Sequence, residues 1–114
     1  MTYQRGDVLL VPFPFADLSS TKNRPAVVVS SALFHQTEPD IIIAAITSQI
    51  GHHRGPTDTR LADWQSAGLL KPSMVKASLA TLSPKMVRHK IGKLSPTDLA
   101  ELNRKLAAAL GLEP

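Results

Sequence analysis

Two polar pairs, each beside an apolar run, are the residues of this chain best suited to chemistry. Arg24-Pro25 comes directly before one apolar run, and Thr47-Ser48 comes directly after another. Pro25 lacks an N–H and pushes Arg24 into an extended conformation, which predicts the start of a strand. A guanidinium held there matches the oxygens of a phosphate, and a nearby hydroxyl can share that phosphate. The alternative from these residues alone is that Arg24 pairs with a carboxylate and Thr47 merely ends a strand.

Apolar runs rich in valine and isoleucine predict the strands that would position these groups. The expected strands are residues 6–11, 26–30, 40–47 and, as one strand or two, 72–82. Residues 85–94 fit either a short helix or a strand. Arg24 would then lie just ahead of the second strand, and Thr47 would end the third.

Helix signals are clearest near the C-terminus. Ser95 is a good N-cap, Pro96 suits the first helical position, Asp98 favours the positive end of the helix dipole, and Gly111 suits the helix end. The leucines between them recur at helical spacing and give one apolar stripe: Leu99, Leu102, Leu106 and Leu110. Two shorter helices are expected at 31–39 and 62–67. Gly68 would stop the second of these.

Composition limits the classes of protein and partner. The 114 residues, 43% of them hydrophobic, are expected to form one folded domain over 1–114. The absence of cysteine excludes a disulfide framework and thiol catalysis, and it fits a reducing cytoplasm. The formal net charge of +4 favours an anionic partner. Pro12 and Pro14 interrupt the N-terminal apolar run, so we expect no signal peptide and no membrane span, and no motif predicts a metal or cofactor site.

An ordered set of short motifs runs along almost the whole chain. The motifs are Gly6-Asp7-Val8, Arg24-Pro25-Ala26-Val27-Val28, Ile46-Thr47-Ser48, Leu69-Leu70-Lys71-Pro72-Ser73 and Ile91-Gly92-Lys93-Leu94-Ser95. In this order the sequence resembles the MazF/PemK (Kid) family of toxins. The resemblance implies a mainly β fold with short helices (α+β), a small SH3-like barrel with a C-terminal helix. It also implies a cytoplasmic homodimer that cleaves single-stranded RNA without a metal and is restrained by a cognate acidic antitoxin.

The resemblance assigns the catalytic groups of the family to Arg24 and Thr47, with Ser48 as a supporting residue. Metal-independent cleavage uses the ribose 2′-hydroxyl as nucleophile and leaves a 2′,3′-cyclic phosphate and a 5′-hydroxyl. The protein then has to position the chain, move protons and stabilise the extra negative charge on phosphorus. Arg24 is expected to hold the non-bridging oxygens, and Thr47 to add a neutral hydrogen bond.

The sequence departs from the family at two places. The loop before Arg24 lacks the glycine of many members, and its last residues, Lys22 and Asn23, are expected to border the RNA. Some members carry a carboxylate on the strand that aligns near Ala77, where this chain has none. Lys76 and Ser78 are the polar residues of that strand and are expected to face the same side, either as supporting groups or as a solvent-facing strand edge.

The loop after the third strand contains His52, His53 and Arg54. Either imidazole would be able to replace the missing proton acceptor, and Arg54 is expected to contact RNA. The alternative is a polar surface loop without a role in the reaction. Zinc is not expected, because adjacent histidines lack the ligand spacing of zinc sites.

Two other function classes stay open at the level of the sequence. One is a non-enzymatic toxin like CcdB, which acts by binding a protein target and would make Arg24 incidental. The other is an RNA-binding module without activity. The basic charge supports the second of these, but its aromatic residues, Trp64 and Tyr3, are too isolated to form a stacking platform.

Overall fold

Six antiparallel strands form one sheet in residues 3–12, 22–51 and 55–112, the parts of the chain that this computed structural model describes. The strands are β1 (Asp7–Pro12), β2 (Asn23–Val28), β3 (Ile41–Thr47), β4 (Thr59–Arg60), β5 (Met74–Leu82) and β6 (His89–Lys93). Their order across the sheet is β4-β5-β3-β2-β1-β6. The helices are α1 (Ala32–Thr37), a 3₁₀ turn (Pro84–Met86) and α2 (Pro96–Leu110). The predicted mainly β fold with a C-terminal helix is confirmed, and the sheet curls into a half-barrel.

The strand predictions hold, with shifted boundaries. The second strand begins at Asn23, three residues earlier than expected, because β2 pairs with β1 before it pairs with β3. Pro25 lies opposite Leu10 of β1, and the pairing of β2 with β3 begins only at the next residue, Ala26. A proline is tolerated there because no ladder bond on that side requires its missing N–H. The region 72–82 contains a single strand, β5, which begins at Met74. In the region 85–94, for which the sequence left helix and strand open, residues 89–93 form the strand β6.

Alternation along the strands divides the buried side chains into two apolar layers. One layer lies between the sheet and α2. It includes the sheet residues Val8, Val27, Ala44, Ile46 and Val75 and the helix residues Leu102 and Leu106. The other layer lies on the opposite face and includes Leu9, Val11, Ala26, Val28, Ile41, Ile43 and Ala45. The central strands β1, β2 and β3 are therefore buried on both faces, as the continuous apolar runs of β2 and β3 predicted.

The C-terminal helix follows its sequence signals closely. Ser95 Oγ accepts a hydrogen bond from the Asp98 N–H at 3.2 Å, and Gly111 ends the helix at φ +72°. Asp98 has a further role that the helix-dipole prediction did not anticipate. Its carboxylate is buried and accepts the backbone N–H groups of Ala62 at 2.9 Å and Asp63 at 2.8 Å.

The helix expected over residues 62–67 is wrong: the structure has a series of turns there. The Asp98 carboxylate binds the first N–H groups of this segment and so fixes it from outside. Gly68 stops the segment as predicted, with φ +89° and its N–H bonded to the carbonyl of Gln65 at 3.1 Å. The side chain of a distant residue therefore anchors this segment of turns to α2.

Candidate active site

Arg24 and Thr47 lie at corresponding positions on neighbouring strands. β2 and β3 are paired with Ala26 opposite Ala45. Arg24 precedes Ala26 by two residues and Thr47 follows Ala45 by two, so both lie just beyond the last paired residues of the two strands, at one end of the sheet, and both line the same cleft there. The sheet thus brings the predicted guanidinium and hydroxyl together.

The Thr47 hydroxyl is oriented by the turn that follows β3. Its Oγ1 accepts a hydrogen bond from the backbone N–H of Gln49 at 3.1 Å. A hydroxyl has one donor proton and two acceptor lone pairs, so this contact leaves the O–H group able to donate. The local turn therefore leaves the Thr47 O–H group available to donate a hydrogen bond.

The segment after β4 is held against β6 by two glycines and reaches the same end of the sheet. A Cβ atom on Gly68 would lie 2.6 Å from the carbonyl oxygen of Ile91, and one on Gly92 would lie 2.5 Å from the carbonyl oxygen of Ala67. Only glycine permits this approach. The contact carries residues 69–73 to a position opposite Arg24 and Thr47.

A cleft of about 610 Å³ lies between these elements. Its apolar lining consists of Leu10, Pro25, Ile46, Leu69, Leu70 and Ile91. Its polar side chains are the exposed Arg24, Ser48, Gln49, Lys71 and His89, the half-buried Thr47 and the buried Ser73. The cleft combines an apolar surface with exposed hydrogen-bonding groups, which is how proteins bind organic ligands.

The cleft is electropositive in the part of the chain that the structure describes. Arg24 and Lys71 are cationic, and no described carboxylate contributes to the lining. Arginine can bind a phosphate with two parallel hydrogen bonds, while lysine contributes a point charge. Residues 3–12, 22–51 and 55–112 contain no group of three His, Asp or Glu side chains arranged to hold a metal ion. The cleft thus favours a phosphate-bearing ligand.

Comparison with known proteins places this fold and cleft in a family. Residues 4–110 match the family of PemK-like, MazF-like toxins of type II toxin–antitoxin systems. The chain belongs to that family. The predicted family resemblance is therefore confirmed. No curated protein sequence matches this MazF/PemK-family chain.

Solved structures of toxins share the fold at low sequence identity. A mycobacterial endoribonuclease in complex with its cognate antitoxin is 21% identical, with a TM-score of 0.78 and 99% of each chain covered. The Mycobacterium tuberculosis toxin MazF-mt6 is 20% identical, with a TM-score of 0.74, 95% of this chain and 99% of that chain covered. MazF from Deinococcus radiodurans is also 20% identical at a TM-score of 0.74, with 97% and 98% covered. The chain therefore has the MazF fold over nearly its full length.

Four other predicted site residues of this MazF/PemK-family chain that the structure describes, Lys22, Asn23, Lys76 and Ser78, do not line the cleft. Lys76 Nζ forms an ion pair with the buried Asp58 carboxylate at 2.9 Å, and Ser78 is exposed farther along β5. Lys22 and Asn23 are exposed where the chain enters β2, next to Arg24. The predictions for His52, His53 and Arg54 lie outside the described residues. The structure therefore brings Arg24, Thr47 and Ser48 together and leaves Lys76 and Ser78 apart from them.

Two residues of the cleft that can carry charge, Lys71 and His89, were not predicted from the sequence. Lys71 belongs to the motif Leu69–Ser73 but was given no chemical role. His89 had no recognisable context in the sequence, since its place depends on pairing with Leu10 of β1. Knowledge of the register between β1 and β6 would have placed His89 in the cleft.

A second, mostly apolar groove of about 460 Å³ lies beside α2, away from Arg24. It is lined by Val29, Ile42, Leu79, Leu106, Leu110 and Leu112. Arg5 lies at its edge, where the guanidinium donates to the Val29 carbonyl at 2.9 Å and to Asn103 Oδ1. Partial burial lowers the pKa of Arg5 from its ordinary value, by desolvation.

The described residues contain no helix long and apolar enough to cross a membrane.

Proposed function

We propose that this protein is the endoribonuclease toxin of a toxin–antitoxin pair and that it cleaves single-stranded RNA at short sequence motifs. The observation that carries this proposal is that Arg24 and Thr47, at the ends of adjacent strands, line the same electropositive cleft. Family membership supports it, as does the shared fold with proteins that are named endoribonucleases. An arginine that was incidental, as in a toxin that only binds a protein target, would not need a hydroxyl donor beside it.

The proposed reaction is an internal transfer of the RNA phosphodiester. The ribose 2′-oxygen attacks phosphorus, the bond to the 5′-oxygen breaks, and the products are a 2′,3′-cyclic phosphate and a 5′-hydroxyl. Arg24 holds the non-bridging oxygens with its guanidinium fork, and Thr47 donates its free O–H to the same group. Both interactions strengthen as negative charge builds on these oxygens in the transition state. Ser48 supports Thr47 from the next position on the chain.

The cleft also supports a single-stranded substrate. Leu70 is 92% exposed at its rim, and the half-buried Leu10 and Ile91 line it, so apolar surface is available to unstacked bases or ribose. Lys71 provides a charge for a phosphate next to the one held by Arg24. Recognition of single-stranded RNA commonly combines such phosphate contacts with apolar contacts to splayed bases.

We propose that the functional unit is a homodimer in the cytoplasm. Leu110 and Leu112, at the end of α2, are 55% and 59% exposed and line the apolar groove described above. A second copy of the chain packing on this groove would remove their surface from water. The lack of cysteine agrees with a reducing compartment.

The proposed restraining partner is an acidic antitoxin. Solved relatives include a complex with a cognate antitoxin and a MazE–MazF complex. An acidic, extended segment would complement the +4 net charge of this chain and the two cations of the cleft. Its binding would block access of RNA to Arg24.

Incubation of the purified protein with a long single-stranded RNA, with and without EDTA, tests the proposed function. We expect discrete fragments in both conditions, with cyclic phosphate at their 3′ ends and hydroxyl at their 5′ ends. RNA that stays intact but shifts on a gel would instead identify a binding module. RNA that stays intact without any shift would favour a toxin that acts on a protein.

A further inference from the structure

A proton acceptor for the reaction is missing from the strand where some family members carry a carboxylate. The corresponding part of β5 contains Lys76, which is paired with Asp58, and Ser78, which lies outside the cleft. Arginine is a poor general base, because a guanidinium does not readily give up its proton. A different group must therefore take the proton of the 2′-hydroxyl if the proposed function holds.

His89 is placed to do so by the pairing of β6 with β1. It lies directly opposite Leu10, and Leu10 in turn lies opposite Pro25 of β2. Directly opposed residues in antiparallel strands project to the same face, so His89 shares its face with two residues that line the cleft. The side chain is exposed and lines the cleft itself.

His89 and Arg24 line the same cleft. His89 and Pro25 are two strands apart, which corresponds to roughly 10 Å between their backbones. Arg24 adjoins Pro25 and by strand alternation belongs to the other face of β2, so Arg24 and His89 line the cleft from different faces of the sheet. A ribose–phosphate unit bound in the cleft would therefore have both residues at its boundary.

Among the described residues of the cleft, His89 is the one candidate for a general base. The described cleft residues that can carry charge are Arg24, Lys71 and His89. Lys90, next to His89, lies 3.5 Å from the Asp7 carboxylate, and neither of these residues lines the cleft. Arginine and lysine hold their protons at neutral pH, whereas histidine is the common general base there.

We propose that His89 is the general base of this nuclease, an inference that rests on the proposed function. The His89 imidazole takes the proton of the 2′-hydroxyl as the 2′-oxygen bonds to phosphorus. The bond between phosphorus and the 5′-oxygen breaks, and the 5′-oxygen takes a proton from water. The proton on the imidazolium then neutralises the hydroxide left behind, so no proton is gained or lost overall.

The test is the pH dependence of single-turnover RNA cleavage by the full-length protein. With His89 as base, the logarithm of the wild-type rate rises with slope one at low pH and then levels off, because only the neutral imidazole accepts the proton. His89→Gln should lose this rise and should lower the plateau by about 10²–10⁴-fold, the usual contribution of a general base. RNA affinity should change little, because His89 acts on the reacting proton.

A rescue experiment and a matched pair of variants complete the design. Added imidazole should restore cleavage by His89→Ala in a concentration-dependent manner, because the site is open to solvent. His52→Gln and His53→Gln, in the preceding histidine pair of the chain, should keep the wild-type pH profile. Thermal unfolding of each variant identifies any loss of folding, and His89→Asn replaces His89→Gln if that variant is unfolded.

Each outcome bears on a different statement. A His89→Gln enzyme that keeps the pH-dependent rise and cleaves within about threefold of wild type would overturn the role of His89. Loss of the pH-dependent rise in His52→Gln or His53→Gln would assign the general base to the loop that contains these residues. This outcome would also overturn the role of His89. A wild-type protein that leaves RNA intact would overturn the proposed function itself, which the EDTA experiment reports independently.

Discussion

The carbonyl oxygen of Ala67 packs directly on Gly92 of β6, where a Cβ atom would lie 2.5 Å away. No side chain fits there unless the backbone moves, because the neighbouring atom belongs to the main chain. This contact, with that of Gly68 on Ile91, holds residues 69–73 over the end of the sheet. The shape of the cleft therefore depends on two residues that have no side chains.

Gly92→Ala should loosen that contact and lower both stability and activity. Overpacking of this kind costs about 1–3 kcal/mol of unfolding free energy, which should appear as a lower melting temperature. RNA cleavage should fall because Leu69–Ser73 is displaced from the cleft. The matched control is Gly51→Ala, since a Cβ there has no neighbour within 4 Å. Equal melting temperatures for the two variants would contradict the packing argument.

Thr47 should contribute less to cleavage than Arg24. Thr47→Val keeps a branched side chain but removes the donor, and a neutral hydrogen bond of about 0.5–1.5 kcal/mol corresponds to roughly a 2–12-fold slower rate. Thr47→Ser keeps the hydroxyl and should restore most of the activity. Single-turnover cleavage measures both variants. A Thr47→Val enzyme as fast as wild type would remove the hydroxyl from the mechanism.

The sequence predicted those parts of the fold whose signals are local. Ser95, Pro96 and Gly111 specify the ends of α2 through capping and backbone preference, and the structure has the helix at those residues. The apolar runs of β1 and β3 gave the positions of these strands within one residue. The site pair was predictable in part, because Arg24 precedes one apolar run and Thr47 ends another.

The remaining features depend on contacts between distant residues. The turns found in place of the helix expected over 62–67 are anchored by Asp98, more than thirty positions away, which accepts hydrogen bonds from the N–H groups of Ala62 and Asp63. His89 reaches the cleft through its register with Leu10, which no spacing in the sequence reveals. Lys76 looked available on its strand, but Asp58 binds it.

The homodimer should depend on the apolar groove beside α2. Leu110→Glu places a charge in that groove and should shift the protein toward the monomer at micromolar concentration, as measured by light scattering. Leu33→Glu is the control, because Leu33 is 74% exposed on α1 and does not line the groove. A wild-type protein that stays monomeric at high micromolar concentration would rule out the dimer. A dimeric Leu110→Glu would place the interface elsewhere.

Antitoxin and RNA should compete for the cleft. We expect the product of a short acidic reading frame beside this gene to displace labelled single-stranded RNA, and saturating amounts to stop cleavage. Its association should slow as salt rises, because steering between charges weakens beyond a Debye length of about 8 Å at physiological ionic strength. Fluorescence anisotropy and stopped-flow mixing measure the two effects. Tight binding that leaves cleavage unchanged would exclude occlusion of Arg24.

The most direct test of the account is the cleavage rate of Arg24→Ala on single-stranded RNA. We predict a loss of about 10²–10³-fold, the scale seen when one donor to a developing oxyanion is removed, with little recovery in Arg24→Lys. Arg104→Ala is the control, since Arg104 is exposed on α2 and pairs with Glu101. It should cleave RNA at the wild-type rate. A folded Arg24→Ala protein that also cleaves RNA at nearly the wild-type rate would contradict the assignment of this cleft as the active site.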